Sequence, residues 1–141
     1  MRRLFLKLPY GIASILILAV ILFLTLTPDP MGAHDITLFP GFDKVAHFIM
    51  FFIAGCIFTL DVAKMRFPHR PRLDLFIAIT LFGIVLGGVI ELLQDAMQYG
   101  RDKDLIDFIA DSLGSIAAFA ICYYYLVPQL RIILKRGKSD N

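Results

Sequence analysis

The stretch Gly87–Gly114, GGVIELLQDAMQYGRDKDLIDFIADSLG, closes one apolar run, crosses a short charged turn and opens another. It carries Glu91, Gln94, Asp95, Arg101, Asp104, Asp107 and Asp111. Ionisable groups at or inside a bilayer are expensive to keep there, so they are functional suspects by default. The apolar runs on either side set the fold class. The 141 residues are 58% hydrophobic and only 18% charged, with a mean hydropathy of +0.75. That is too apolar for an ordinary soluble domain and predicts an all-α integral membrane protein.

A spanning helix needs roughly 20 mostly apolar residues. Four runs qualify, at about residues 8–26, 43–60, 73–94 and 105–127. They predict a small four-helix bundle forming a single membrane domain over residues 1–141. Arg2, Arg3 and Lys7 precede the first run as they would in a signal peptide. Its apolar core is longer than such a leader needs and meets no small-x-small cleavage site, so it reads as a retained span. Residues 28–42 read as a loop, from Pro28, Pro30, Gly32, Pro40 and Gly41. Asp43 suits the start of the second helix as its cap. Pro128 is expected to end the fourth, leaving residues 128–141 as a basic tail on the membrane surface. Tyr123, Tyr124 and Tyr125 are expected in an interfacial aromatic belt.

Eleven of the fourteen Lys and Arg residues lie in the N-terminal flank, the second connection and the tail. This bias predicts a bacterial inner-membrane protein with both termini cytoplasmic. Most of the acids collect on the opposite side. Basic groups confined to short juxtamembrane segments exclude a nucleic-acid surface. Cys56 and Cys122 sit in apolar runs as small hydrophobes, without zinc-site spacing.

Helical spacing places the polar residues. Gly83, Gly87 and Glu91 are four apart on one stripe, and Asp107, Asp111, Gly114, Ser115 and Ala118 share another. Gly83-x-x-x-Gly87 is a small-residue motif for close helix packing, with Gly114 in the same role on the fourth helix. Three helices would bring His47, Glu91, Gln94, Asp107 and Asp111 together below the outer surface, with Arg101 in the turn as a cap. The plainer alternative is that these groups only hold the bundle together. Asp104 reads as a solvated N-cap, Asp95 as an exposed charge, His69 as inert, and Ser112 and Ser115 as packing residues. There is no Gly-rich phosphate loop, HExxH or nucleophile elbow.

Taken together, Asp43-Lys44-x-x-His47-Phe48, Gly87-x-x-x-Glu91-x-x-Gln94 and Arg101-x5-Asp107-x3-Asp111-x2-Gly114 resemble the VanZ-like family, small bacterial membrane proteins named for teicoplanin resistance. Asp111 stands where many relatives carry Asn. The resemblance implies a link to the cell envelope and to glycopeptide antibiotic sensitivity. Three functions remain open. One is a polar site facing the envelope. A second is a membrane enzyme acting on a lipid-linked or phosphate-bearing substrate, with His47, Glu91, Asp107 and Asp111 as candidate catalytic groups and Lys44, Gln94 and Arg101 binding the headgroup. A third is a scaffold for a membrane-protein partner or a second copy. The lipid bilayer is a partner in all three. No cofactor is expected; a divalent cation on the acid cluster is the alternative.

Overall fold

The computed structural model describes residues 9–27, 40–69, 71–97 and 104–139, with side chains as far as Arg136. Every regular element among them is helical: α1 (Ile12–Leu26), α2 (Phe42–Met65), α3 (Leu73–Met97), α4 (Leu105–Ile121), a π-helical turn (Cys122–Leu126) and α5 (Val127–Ser139). Three helices are long and apolar enough to cross a membrane: α2, α3 and the continuous helix Leu105–Arg136. At 24 and 25 residues, α2 and α3 are each about 36 Å long, against a hydrocarbon core of about 30 Å. Large apolar side chains project outward all along the bundle, among them Ile15, Leu81, Val85, Leu92 and Ile116. Water would penalise such a surface and lipid would not.

The polar contacts fix the topology. Ser14, early in α1, donates from both its N–H and its hydroxyl to Asp61, late in α2 (3.1 and 2.7 Å). Gln94, late in α3, donates to the Thr25 carbonyl at the end of α1 (2.8 Å). His47, early in α2, meets Asp111, early in α4. The helices therefore alternate in direction, and α2 and α4 run parallel. At one end of the bundle sit Asp43, Glu91, Asp95, Asp104, Asp107 and Asp111. At the other sit Lys64, Arg66, Arg72, Arg131, Lys135 and Arg136.

Helix α4 packs against both α2 and α3, and glycines make that approach possible. A Cβ on Gly114 would lie 3.0 Å from the Phe52 nitrogen of α2, and one on Gly55 would lie 2.6 Å from the Ala118 Cβ. On α3, Gly83 faces Ser115 and Gly87 faces Asp111. Of the two stripes expected from spacing, Gly87, Glu91, Asp111, Gly114, Ser115 and Ala118 are buried and Gly83 and Asp107 half-buried. Two apolar clusters fill the interior. Ile21, Phe51, Ala54 and Ile90 lie next to the acidic end. Ala63, Phe76, Cys122, Val127 and Leu130 lie at the basic end.

Several boundaries differ from the sequence expectation. Helix α1 begins at Ile12 and not near Leu8, because Gly11 takes a left-handed conformation (φ 82°) ahead of it. At 15 residues it falls short of the other three. Helices α2 and α3 run on to Met65 and Met97, past the expected ends at residues 60 and 94. Pro128 does not end the fourth span. The preceding π turn shifts the hydrogen-bond register, with the Val127 N–H reaching back five residues to the Cys122 carbonyl. Pro128 then follows in the first turn of the resumed helix, where a missing N–H costs least. Residues 128–139 are consequently helical and not a surface tail, and Val127, Leu130 and Leu134 join the core. The π turn also splits the tyrosines. Tyr124 and Tyr125 stay exposed, while Tyr123 turns inward, edge-to-face with Phe76 and stacked on Phe119, at 5.3 and 5.9 Å between ring centres.

Candidate functional site

One turn beyond the Ile21–Phe51–Ile90 cluster, three helices each contribute one buried ionisable side chain. His47 of α2 is 5% exposed, Glu91 of α3 4% and Asp111 of α4 0%. The helical period explains why they turn inward. His47 lies four residues before Phe51, Glu91 follows Gly87 by four, and Asp111 precedes Ser115 by four. Their candidate ligand atoms all lie within 4.8 Å of one another. His47 Nδ1 is 3.0 Å from Asp111 Oδ1. Asp111 Oδ2 rests against the bare backbone of Gly87, where a Cβ would lie 2.9 Å away.

Glu91 is held by a device that the sequence concealed. Its Oε2 accepts the backbone N–H of Asp104 at 2.9 Å. Asp104 is the N-cap of α4, as expected, and its own carboxylate accepts from the Ile106 N–H at 2.8 Å. In a capping box the residue three positions into the helix returns to the N-cap N–H. Here that residue, Asp107, turns to Lys44, and Glu91 takes the N–H from another helix. The remaining oxygens, Glu91 Oε1 and Asp111 Oδ2, are buried and make no hydrogen bond.

A second acidic group lies just outside this trio. Lys44 Nζ contacts Asp43 (2.7 Å), Asp104 and Asp107 (3.1 Å). The Lys44 ammonium holds the Asp104 carboxyl below the usual aspartate range. Lys44 therefore differs from the expected headgroup-binding residue, since its charge is already met by three carboxylates. Asp107 belongs with Lys44 and not with the His47 trio. Gln94 is buried and spends an amide N–H on Thr25, so it fastens α1 to α3. Arg101 lies outside the described residues. Asp95 is exposed, as expected, and so is His69.

Of the five residues expected to converge, His47, Glu91 and Asp111 come together, while Gln94 turns to Thr25 and Asp107 to Lys44. Sequence reasoning missed the Asp104 N–H and the Thr25 carbonyl, both backbone atoms with no residue-type signature. The N-cap position of Asp104 was the available clue. It also missed Asp61, whose partner is Ser14 at the basic end.

No family model, curated protein or solved structure matches this chain.

Proposed function

We propose that this is a VanZ-like protein of the bacterial inner membrane, with both termini cytoplasmic. We further propose that the His47–Glu91–Asp111 cluster is a ligand site at the cell-envelope end of the bundle. Through it the protein alters envelope properties, glycopeptide susceptibility included. The observation that carries this reading is the burial of Glu91 Oε1 and Asp111 Oδ2 with no hydrogen-bond partner. Structural glue would spend its oxygens on neighbours, because an unmet buried polar group destabilises. A site keeps them for something else. The scaffold alternative needed the Gly83–Gly87 face for a partner, and α4 occupies that face.

A second reading, an enzyme acting on a lipid-linked envelope substrate, is favoured by the 3.0 Å His47–Asp111 contact. A base held by an adjacent carboxylate is the usual arrangement for proton transfer.

The test is expression in a sensitive host, with susceptibility to teicoplanin-class compounds and the profile of lipid-linked precursors both measured. Wild type should change at least one, and folded Glu91→Gln should change neither. A fully active Glu91→Gln refutes a role for the charge or proton. A shifted precursor profile selects the enzyme reading. Reporter fusions after Pro30 and after Gly100 should read as periplasmic and a C-terminal fusion as cytoplasmic. A cytoplasmic reading at Gly100 overturns the four-span topology.

A further inference from the structure

Two groups of three acid or histidine side chains lie close enough at this end of the bundle to share a cation. Asp43, Asp104 and Asp107 already hold one, the Lys44 ammonium. The inner trio holds no Lys or Arg among the described residues. We propose that His47, Glu91 and Asp111 bind a first-row divalent metal ion of the zinc or manganese class. This rests on the reading of the trio as the protein's functional site.

Three observations converge on a cation. The first is the pair of buried oxygens without partners, one on Glu91 and one on Asp111. Each side chain is more than nine-tenths buried, so water cannot readily compensate it. The second is the donor set. One imidazole nitrogen with two carboxylates suits zinc, manganese or ferrous iron better than calcium, which prefers oxygen alone. The third is orientation. The Asp104 N–H fixes Glu91 through Oε2 and leaves Oε1 free, which is how outer hydrogen bonds aim a metal-binding carboxylate. The 3.0 Å between His47 Nδ1 and Asp111 Oδ1 suits two ligands on one ion, since bonds of about 2.0 Å at a tetrahedral angle place ligand atoms about 3.3 Å apart. Gly87 lets the Asp111 carboxylate sit between α3 and α4, where a Cβ would come within 2.9 Å of Oδ2. Three protein ligands leave a coordination position for an outside oxygen, such as that of a phosphate headgroup.

The experiment uses the full chain, carrying an affinity tag without histidine and purified in detergent. Elemental analysis should find close to one zinc or manganese per chain. After chelation, adding Zn²⁺ or Mn²⁺ should raise the melting temperature, and Co²⁺ should give visible absorption bands. Glu91→Gln and Asp111→Asn should each weaken binding at least tenfold, and Asp74→Asn, at the opposite end, should not. X-ray absorption of the zinc-loaded wild type answers the question if the variants misfold. One imidazole with oxygen neighbours supports the site, and a sulfur shell, meaning Cys56 or Cys122, overturns it. A wild type that carries no ion and gains no stability from Zn²⁺, Mn²⁺ or Co²⁺ also overturns it. Metal inference and functional reading fail separately. An ion-free, folded Asp111→Asn that keeps the phenotype sinks the function and leaves the site. A metal-free wild type whose Glu91→Gln variant loses the phenotype does the reverse.

Discussion

The Lys44 cluster and the His47 cluster are neighbours built from similar parts, yet they solve the burial of charge in opposite ways. In the outer one, three carboxylates surround an ammonium on the chain itself, and the groups remain partly open to solvent: the Lys44 side chain is 28% exposed and that of Asp107 13%. In the inner one, Asp111 meets the single imidazole and Glu91 a backbone N–H, Asp111 is fully enclosed, and two oxygens go unmet. Depth accounts for the difference. Lys44 is one turn nearer the helix end than His47, where a flexible ammonium can reach several acids and stay hydrated. A turn deeper the cost of desolvation rises and a lysine would have to be buried. An acid pair there must be met by something small or left wanting. The outer cluster pairs its acids with an ammonium of the chain itself, and the inner one has no such cation among the described residues.

Substitutions can break that comparison. The largest effect is expected from Gly87→Leu. A Cβ alone would come within 2.9 Å of Asp111, so the longer side chain must part α3 from α4, at a cost of about 3 kcal/mol or more. Thermal melting in detergent and folded yield measure it. Parental stability would mean the inner cluster is not clamped between these helices.

Lys44→Met comes next. It turns the outer cluster into an uncompensated group of acids, so the melting temperature should fall by several degrees at neutral pH. If it does not, the ammonium is not what makes the outer cluster self-sufficient.

The same variant has a pH signature. The Asp104 carboxyl is held low by Lys44, so its contribution to stability is full above about pH 4. It is lost as the pH falls further, through the depressed folded-state value. Melting curves between about pH 5 and about pH 3 should slope less in Lys44→Met than in the parent. Equal slopes would show that Asp104 gains nothing from Lys44.

Gln94→Leu should matter least, about 0.6 to 1 kcal/mol, the usual worth of one hydrogen bond between membrane helices. A loss several times larger would move Gln94 from fastening α1 into the site itself.

Much of this was legible in the residues. Apolar runs gave the membrane helices, and spacing at three and four put His47, Glu91 and Asp111 on inward faces. Gly83 and Gly87 marked the contact with α4. These features are periodic, and periodicity survives in one dimension. Boundaries were less legible. The fourth span passes Pro128 because a π turn precedes it, and nothing in CYYYLVP announces a change of hydrogen-bond register.

By itself, then, the sequence determined an apolar helical bundle with most of its acids at one end, because composition and helical period depend only on residue order. Tertiary structure decided which acids are satisfied. Whether Lys44 reaches Asp104 or Glu91 finds the Asp104 N–H depends on how three helices meet end to end. Those partners lie 60 and 13 residues apart in the chain, and one is a backbone N–H that any residue but proline could have supplied.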